Sequence, residues 1–417
     1  MLSRLLPAEP VHRALTLATL SAALSTGLFF SVSALYFIRV IGLPATTVGL
    51  GLTVAGAVGV AASYLGGHAA DRVGADRLQL VANAVQAAAL LAYVFAGSAV
   101  TFTAVACVAV GARALQGTAK ATLQACWFTG PERVEVRARL RVVTNVSIGA
   151  GTCLAAVALL LDTAAAYRTT MVGTAALTAV ATLPLAGLRS RVPGLAERLT
   201  VRRDADGARV RGRSPLRDRT YLASVGLNSV IAMQFGIQTV GVPLWIAGST
   251  DAPTVMVSVL MVVNTVFVAI FQVRASRGTH DIRYAGRTVR RGSLLLAAGC
   301  LLYGAAGHTG LVGAVALLVL AELLGSWAEV WCEAGGWGLA FELADPASAG
   351  AYQGLSQTGY ALGGMAAPVV VTATAVDHGL PGWALLAGVF AAAGVAVAAL
   401  ARATAARRAR PEVGLAA

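Results

Sequence analysis

Charged residues are scarce in this sequence. Aspartate, glutamate, lysine and arginine together make up only 12% of the 417 residues, whereas a soluble domain usually contains about 25%. The apolar share is 57%, which is more than a water-soluble protein of this length can hide in a core. The composition excludes a soluble globular protein and predicts a chain whose solvent is the lipid bilayer.

Motifs for catalysis and for metal binding are also missing. The sequence has no Gly-Lys-Ser/Thr phosphate loop and neither the HExxH nor the GxSxG signature, so we expect no ATP hydrolysis, no enzyme activity and no cofactor. The cysteines show no CxxC or other ligand spacing, and we predict neither a metal site nor a disulfide framework from them. These five cysteines are Cys107, Cys126, Cys153, Cys300 and Cys332.

Lysine is nearly absent, since the 32 basic residues are all arginines apart from Lys120. A net charge of +13 would favour nucleic-acid binding in a soluble protein. Here most arginines fall in short gaps between apolar runs, which is typical of topology signals and of contacts with anionic lipids. We therefore expect the lipid bilayer, and no nucleic acid, as a partner.

What the sequence does contain is a series of apolar runs long enough to cross a membrane. A spanning helix needs about 20 mostly apolar residues, and by this measure twelve spans are predicted. They lie near residues 14–38, 46–69, 79–97, 101–125, 142–161, 168–188, 221–246, 254–273, 290–307, 311–340, 354–376 and 382–402.

The distribution of arginine orients these spans. With both termini in the cytoplasm, 28 of the 32 basic residues fall in predicted cytoplasmic segments, as the positive-inside rule requires. Only Arg39 and Arg168 fall in external loops, while Arg113 and Lys120 lie within a span. We predict an all-α polytopic membrane protein with 12 transmembrane helices and cytoplasmic N- and C-termini, located in the bacterial cytoplasmic (inner) membrane.

One long polar segment, from Arg189 to Arg219, separates the first six spans from the last six. It predicts three parts of the chain: a six-helix bundle over 1–190, a basic cytoplasmic linker over 191–219 and a second six-helix bundle over 220–417. Two pseudo-symmetric bundles of this kind are typical of alternating-access transporters, in which the substrate site lies between the repeats.

Polar residues inside the fourth and tenth spans are the main candidates for a functional site. Arg113, Gln116 and Lys120 recur at helical spacing and share one face of the fourth span. A cation at mid-bilayer costs at least about 2.5–3.5 kcal/mol, so this face must meet a partner or a wet cavity. The tenth span carries a stripe of carboxylates, which are Glu322, Glu329 and Glu333.

We expect these two polar faces to line one cavity, because the tenth span corresponds to the fourth in the repeat. Glu333 is the expected ion-pair partner of Lys120, while Glu329, nearest mid-span, is the best candidate for binding and releasing a proton. Any one of the carboxylates could instead be a purely structural partner of a cation. Further expected lining residues of the cavity are Tyr36, Asn228, Gln234, Gln238 and Trp331.

Two motifs resemble the major facilitator superfamily. The first, from Gly67 to Arg77, is similar to its loop 2–3 signature G-x-x-x-D-R-x-G-R-R-K/R, although Ala75 and Asp76 replace two residues that are usually basic. The resemblance implies a gate that latches the two bundles on the cytoplasmic side. The gate residues that match the signature are Gly67, Asp71, Arg72, Gly74 and Arg77.

The second motif runs from Arg113 to Ala121 and resembles the R-x-x-Q-G-x-G/A-x-A pattern of the superfamily's fourth span, which is associated with proton-coupled members. Lys120 stands where a small residue is usual. The fifth-span signature of drug/proton antiporters is not present, because Gly149–Thr152 is followed by no proline. The resemblance, to bacterial drug and metabolite efflux members, implies secondary active transport.

Three interpretations of the function follow. The leading one is a monomeric transporter, driven by protons, that exports a small amphipathic or cationic compound. The second keeps the fold but imports a small nutrient or organic anion, with Arg113 as the anion site. The third is a membrane sensor or enzyme subunit that transports nothing. The sign of the substrate's charge discriminates between the first two.

Overall fold

Long helices make up nearly all of the structure, which is a computed structural model describing residues 7–199 and 212–409. Within these residues every regular element is helical. Twelve long helices follow one another, and we number them α1 (Pro10–Leu35), α2 (Ala45–Val73), α3 (Ala75–Ala92), α4 (Ala99–Trp127), α5 (Gly130–Leu161), α6 (Ala164–Val180), α7 (Arg219–Ala232), α8 (Met256–Ala275), α9 (Ile282–Ala306), α10 (Leu311–Glu342), α11 (Ala349–Val371) and α12 (Leu380–Ala409).

Three of these helices continue beyond their α-helical part through a wider π-helical turn. The turn follows α1 at Tyr36–Val40 and α11 at Thr372–Val376. After α7 the chain stays helical to Ser249, with its π turn at Ile237–Gly241. A π turn holds one residue more than an α turn and is often found at functional positions of a helix.

Ten of the twelve helical segments in the described part of the chain are long and apolar enough to cross a bilayer. The two exceptions are α6, which has 17 residues, and α9, whose first turns carry four arginines. The structure therefore shows a multi-pass helical membrane protein. The number of twelve spans and the cytoplasmic position of the termini stay predictions.

Several helices are longer than the apolar runs that predict them. The helix of the fifth span begins at Gly130 rather than near residue 142, because its first turns are charged and the apolar run marks only the part inside the bilayer. Gly335 and Gly336 do not interrupt α10, which is continuous to Glu342. A Cβ on Gly335 would lie 2.7 Å from the Ala285 carbonyl oxygen, so this glycine permits α9 and α10 to pack closely.

The chain divides into two compact units. Unit 1 comprises Met1–Thr129, Arg139–Ser214 and Asp345–Thr358, and unit 2 comprises Gly130–Ala138, Pro215–Ala344 and Gly359–Ala417. The beginning of α5 is thus counted with unit 2, and the beginning of α11 with unit 1. The predicted domains 1–190 and 220–417 stay a prediction, and positions 200–211 of the predicted linker lie outside the described residues.

Each unit has its own aromatic core. In unit 1 the ring of Phe37 packs against Tyr93 at 4.9 Å and against Phe102 at 4.7 Å between ring centroids. In unit 2 the ring of Trp383 packs against Trp245 at 5.9 Å and Tyr303 at 5.4 Å. These buried rings fix the helices of each unit around the polar residues described below.

The outward helix surfaces are apolar. Large hydrophobic side chains such as Val100, Leu160 and Val312 are 79%, 86% and 82% exposed. Because the chain is a multi-pass membrane protein, these side chains face lipid rather than water.

Candidate functional site

Three buried carboxylates follow one stripe of α10. Glu322, Glu329 and Glu333 are only 3%, 2% and 8% exposed. Side chains three, four or seven residues apart share one face of a helix, and here that face points into unit 2. Glu322 accepts a hydrogen bond from a tyrosine hydroxyl, and Glu329 accepts hydrogen bonds from two side-chain amides.

Glu322 accepts a hydrogen bond of 2.7 Å from the Tyr303 hydroxyl on α9. Tyr303 is itself 3% exposed, and its carbonyl oxygen accepts a hydrogen bond of 2.7 Å from the indole nitrogen of Trp245. Among the described residues no cation lies at ion-pair distance from Glu322. A tyrosine hydroxyl thus holds this carboxylate within an aromatic core.

Glu329 connects three helices. Its Oε2 atom accepts hydrogen bonds from Asn264 Nδ2 on α8, at 2.9 Å, and from Gln238 Nε2 in the π turn after α7, at 3.3 Å. Asn264 Nδ2 also lies 3.2 Å from the hydroxyl of Ser326, one turn earlier on α10. A change in the charge of Glu329 would therefore alter contacts on α7 and α8 together.

An aromatic cluster lies on α8 and α10, the two helices that carry Asn264 and Glu329. Trp327 packs against Phe267 and Phe271 at 4.9 Å between ring centroids in each pair. Trp331 extends the cluster, at 5.3 Å from Trp327. The faces of such rings bind apolar groups and cations.

Arg113 lines a cavity of about 170 Å³ inside unit 1. Its guanidinium carbon lies 4.9 Å above the centre of the Phe30 ring, and within the described residues it makes no ion pair. The walls are largely aromatic and aliphatic, with a few uncharged polar groups. The lining comprises Ser25, Thr26, Phe29, Phe30, Ser33, Ala34, Phe37, Val48, Leu52, Gln86, Leu90, Tyr93, Ala109, Val110 and Arg113.

Gln86 adds an unused hydrogen-bond acceptor to this cavity. Its Oε1 atom is buried and has no hydrogen-bond partner among the described residues. Buried amide oxygens are usually paired. The cavity therefore offers a cationic donor between aromatic walls, with an unpaired amide oxygen buried in its lining.

The other two polar residues of the α4 face have different surroundings. Gln116 donates a hydrogen bond to the Oδ1 atom of Asn83 on α3. The Asn83 amide in turn donates to the Ala181 carbonyl oxygen at 3.3 Å. Lys120 is half-buried, and its expected pairing with Glu333 stays a prediction.

The glycine-rich motif at the end of α2 meets the first turn of α11 within unit 1. The two oxygens of Asp71 accept hydrogen bonds from the backbone N–H groups of Gly350, at 2.7 Å, and Ala351, at 2.8 Å. A carboxylate at this position satisfies N–H groups that have no partner inside their own helix. A Cβ on Gly67 would lie 2.9 Å from the Cα atom of Gly354, so this contact needs glycine.

Asp76, which stands where the motif usually has a basic residue, forms an ion pair. Arg189 donates to both carboxylate oxygens of Asp76, at 2.6 Å from Nε and 2.7 Å from Nη2. Gly74 adopts a φ of 95° in the direct turn from α2 to α3, a conformation that favours glycine. Arg72 and Arg77, the remaining motif residues, are exposed.

The remaining predicted lining residues are spread over both units. Tyr36 is 1% exposed and its hydroxyl lies 3.5 Å from the Val94 carbonyl oxygen. Asn228 donates to the Ser224 carbonyl oxygen on its own helix at 2.8 Å, and Gln234 is 3% exposed. Only Gln238 and Trp331 are placed beside Glu329 and the aromatic cluster, and the role of the whole set stays a prediction.

Sequence reasoning missed three residues near the candidate groups: Tyr303 and Asn264, which donate hydrogen bonds to Glu322 and Glu329, and Gln86, which lines the cavity of Arg113. Asn264 carries a signal, because an amide in the middle of a largely apolar run is costly unless it is hydrogen-bonded. Tyr303 carries none, since a tyrosine near the end of a span is common at membrane interfaces.

The fold agrees with comparisons to known proteins. The family model of the Major Facilitator Superfamily matches residues 15–368. The chain belongs to the major facilitator superfamily. Comparison with curated protein sequences gives no significant match.

Solved transporter structures share the fold. The human organic anion transporter MFSD10 (TETRAN) is similar at 17% identity and a TM-score of 0.69, over 94% of this chain and 100% of that chain. A bacterial homologue of the iron transporter ferroportin, in an outward-facing state, is similar at 13% identity and a TM-score of 0.73, over 95% and 100%. The proton:xylose symporter XylE follows at 14% identity and a TM-score of 0.66, over 94% of each chain.

The family assignment defines the class of the protein. It is a membrane transporter for small molecules and not an enzyme. The third interpretation, a sensor or subunit that transports nothing, loses its support.

Proposed function

We propose that this protein is a secondary active transporter that uses alternating access and proton coupling to export a small amphipathic or cationic compound. In this proposal the chain is a monomer in a bacterial inner membrane, with twelve spans and both termini in the cytoplasm. Residues 1–190 and 220–417 are the two moving bundles, joined by the basic linker 191–219.

The observation that carries the proposal is the buried carboxylate of Glu322. It lies in the aromatic core of unit 2 with a tyrosine hydroxyl as its hydrogen-bond donor and, within the described residues, without an ion-pair partner. Ionisable groups inside a membrane are costly and mark paths of protons, ions or substrates. Glu322 is therefore a proton-exchanging group in this proposal.

Glu329 connects proton exchange on α10 to the positions of two other helices. Its hydrogen bonds reach Gln238 and Asn264 on two other helices. A charged carboxylate only accepts hydrogen bonds, whereas a protonated one also donates. A change of proton occupancy on the α10 stripe would rearrange α7 and α8 around it, which is how a proton could bias a two-state transporter.

The aromatic cluster supplies the substrate surface. The rings of Trp327, Trp331, Phe267 and Phe271 are in mutual contact on α8 and α10. An apolar substrate body packs on such rings, and a positive charge gains a cation–π attraction of roughly 0.5–2 kcal/mol. The carboxylates on the same helix, α10, favour the same charge.

The test is transport in proteoliposomes with an imposed pH gradient. We expect wild-type protein to move a lipophilic cation, such as tetraphenylphosphonium, against a counterflow of protons. Glu322→Gln and Glu329→Gln should lose gradient-driven flux. Glu132→Gln, which changes an exposed glutamate at the start of α5, is the matched control and should keep it.

Two outcomes contradict the proposal. In the first, no compound of a broad panel of lipophilic cations and antibiotics causes substrate-linked proton movement across the proteoliposome membrane. In the second, both α10 variants transport like the Glu132→Gln control. Substrate exchange without a gradient separates lost coupling from misfolding, because an uncoupled but folded variant still exchanges substrate.

A second candidate function is import of a small organic anion. The cavity of unit 1 favours it, because Arg113 lines the cavity and makes no ion pair among the described residues. Planar guanidinium groups bind carboxylates in a bidentate manner. This site fits a substrate with an aromatic or aliphatic body and an acidic group.

Substrate charge decides between the two functions. If the second is right, aromatic carboxylates should bind and be imported with protons, and Arg113→Ala should abolish binding. Arg113→Lys should keep part of it, since a lysine keeps the charge but loses the fork of donors. Arg283→Ala, at an exposed arginine outside the cavity, controls for net charge. Binding that is insensitive to Arg113→Ala excludes this candidate.

A further inference from the structure

A second cavity lies where the first turns of α1 meet the chain that follows α6. Its volume is about 170 Å³, and two arginines and several apolar residues line it. We propose that this cavity binds the phosphate headgroup of an anionic phospholipid of the cytoplasmic leaflet. The lining residues are Pro10, Arg13, Ala14, Leu17, Pro184, Leu188 and Arg191.

One wall is a guanidinium in a fixed position. Arg191 donates from Nε to the Gly187 carbonyl oxygen at 3.3 Å and from Nη2 to the Pro184 carbonyl oxygen at 3.1 Å. Nη2 also donates to the carbonyl oxygen of Ala186. The backbone thus orients the guanidinium and leaves Nη1 unused among the described residues, so that little side-chain entropy is lost when an anion binds.

The opposite wall carries a second cation. Arg13 is exposed in the first turns of α1, one turn after Glu9, whose carboxylate caps the backbone N–H groups of Val11 and His12. No carboxylate among the described residues lies at ion-pair distance from Arg13 or Arg191. Two arginines without acidic partners around one cavity can together bind an anion, and the group that arginine forks match well is phosphate.

The apolar surface next to the cavity favours a lipid over a free phosphate ion. Arg13, Leu17 and Leu20 recur at helical spacing on one face of α1, and Leu20 is 43% exposed. On the other side, Leu183 is 66% exposed. These leucines continue from the arginines toward the membrane interior and provide a track for an acyl chain, which a soluble anion does not need.

The predicted topology places this cavity in the right leaflet. The N-terminal end of α1 and the end of α6 lie on the cytoplasmic side by the arginine distribution. Anionic lipids give that surface its negative potential, and each basic residue there contributes about 1 kcal/mol of attraction. The proposed ligand is therefore abundant at the site.

Native mass spectrometry of the full-length protein in detergent tests the proposal. We expect one phosphatidylglycerol molecule to stay bound to wild-type protein, and phosphatidylcholine of the same chain length to bind much less. Arg13→Gln should weaken phosphatidylglycerol binding about fivefold, because one cationic contact is lost. Arg283→Gln removes an exposed arginine in unit 2 and should leave binding unchanged.

Three outcomes overturn the proposal. If Arg13→Gln and Arg283→Gln lose lipid binding equally, the effect is one of general charge and not of this cavity. If phosphatidylglycerol and phosphatidylcholine bind equally, the cavity does not select an anionic headgroup. Competition by inorganic phosphate or glycerol phosphate as strong as that by the lipid indicates a soluble anion. Arg191→Gln is a weaker test, because Arg191 also stabilises the turn after α6. The lipid binding of Arg13→Gln is therefore the deciding measurement.

Discussion

At the scale of single residues, the pair of Asp76 and Arg189 shows what a motif leaves out. From the sequence, Asp76 is a departure that weakens the positive end of the loop 2–3 motif. In the structure it is 5% exposed and receives two hydrogen bonds from Arg189, which lies more than a hundred positions later in the chain. A pairing over this sequence distance depends on packing and cannot be read from local spacing.

The pair makes a stability prediction. Asp76→Asn leaves the Arg189 charge half-buried without its carboxylate, and we expect it to lower the free energy of unfolding by about 1–3 kcal/mol. Thermal unfolding in detergent measures this. Exchanging the charges, as Asp76→Arg with Arg189→Asp, should recover part of the loss.

The matched control is the exposed pair of Arg39 and Asp162, whose atoms lie 3.2 Å apart with side chains 57% and 54% exposed. Asp162→Asn should not change the unfolding temperature measurably, since exposed pairs are screened by solvent. A hydrogen bond from the Tyr167 hydroxyl, with Arg39 nearby, holds the pKa of Asp162 below its usual range. A lowered pKa means that Asp162 stays charged, and keeps its contact with Arg39, down to a lower pH than an ordinary aspartate. Equal effects of the two variants would contradict the prediction.

At the scale of helices, the sequence predicted the apolar parts well and the contacts poorly. Hydrophobic runs predicted the segments that the bilayer requires. They could not show that α5 begins at Gly130, because charged turns outside the bilayer carry no apolar signal. Nor could they show that Asn264 on α8 reaches Glu329 on α10, since an amide on a helix indicates a partner without naming it.

A glycine contact makes a prediction at this scale. Gly67 faces the backbone of the first turns of α11, and a Cβ there would lie 2.9 Å from the Gly354 Cα atom. We expect Gly67→Ala to force these helices apart, at a cost of about 1–3 kcal/mol, and to reduce the transport rate. Unfolding temperature and uptake rate measure the two effects.

The control lies on the same helix. A Cβ on Gly49 would meet nothing within 4 Å, so Gly49→Ala changes the same residue type in α2 without a clash. It should be as stable as wild type or slightly more stable, because alanine favours helix. If both variants behave alike, the contact of Gly67 has no energetic weight.

At the scale of the whole molecule, the distribution of 32 basic residues predicts sidedness that the fold alone does not show. Two helices, α6 and α9, fall short of the length or apolar character of a span, and a span fewer would reverse every later loop. The arginines in the first turns of α9 are what make it polar, and they are also what place its start in the cytoplasm under the positive-inside rule.

Cysteine labelling tests this topology. In a cysteine-free background, Asp251→Cys, in the exposed loop before α8, should react with an impermeant maleimide in intact cells. Arg277→Cys, in the exposed loop before α9, should react only after the membrane is permeabilised. The two sites are matched in exposure and flank one span. Labelling of both from one side, or labelling with the two sides exchanged, contradicts the twelve-span prediction.

The π turns after α1, within the α7 segment and after α11 have a further consequence. Inside a hydrocarbon environment a helix that bends by breaking a backbone hydrogen bond leaves N–H and C=O groups with no substitute donor or acceptor. A turn that already accommodates a surplus residue can pass that residue along the helix, exchanging one set of backbone partners for another. The chain has such turns at Tyr36–Val40, Ile237–Gly241 and Thr372–Val376. At these positions a helix can bend within the bilayer without leaving backbone N–H and C=O groups unpaired.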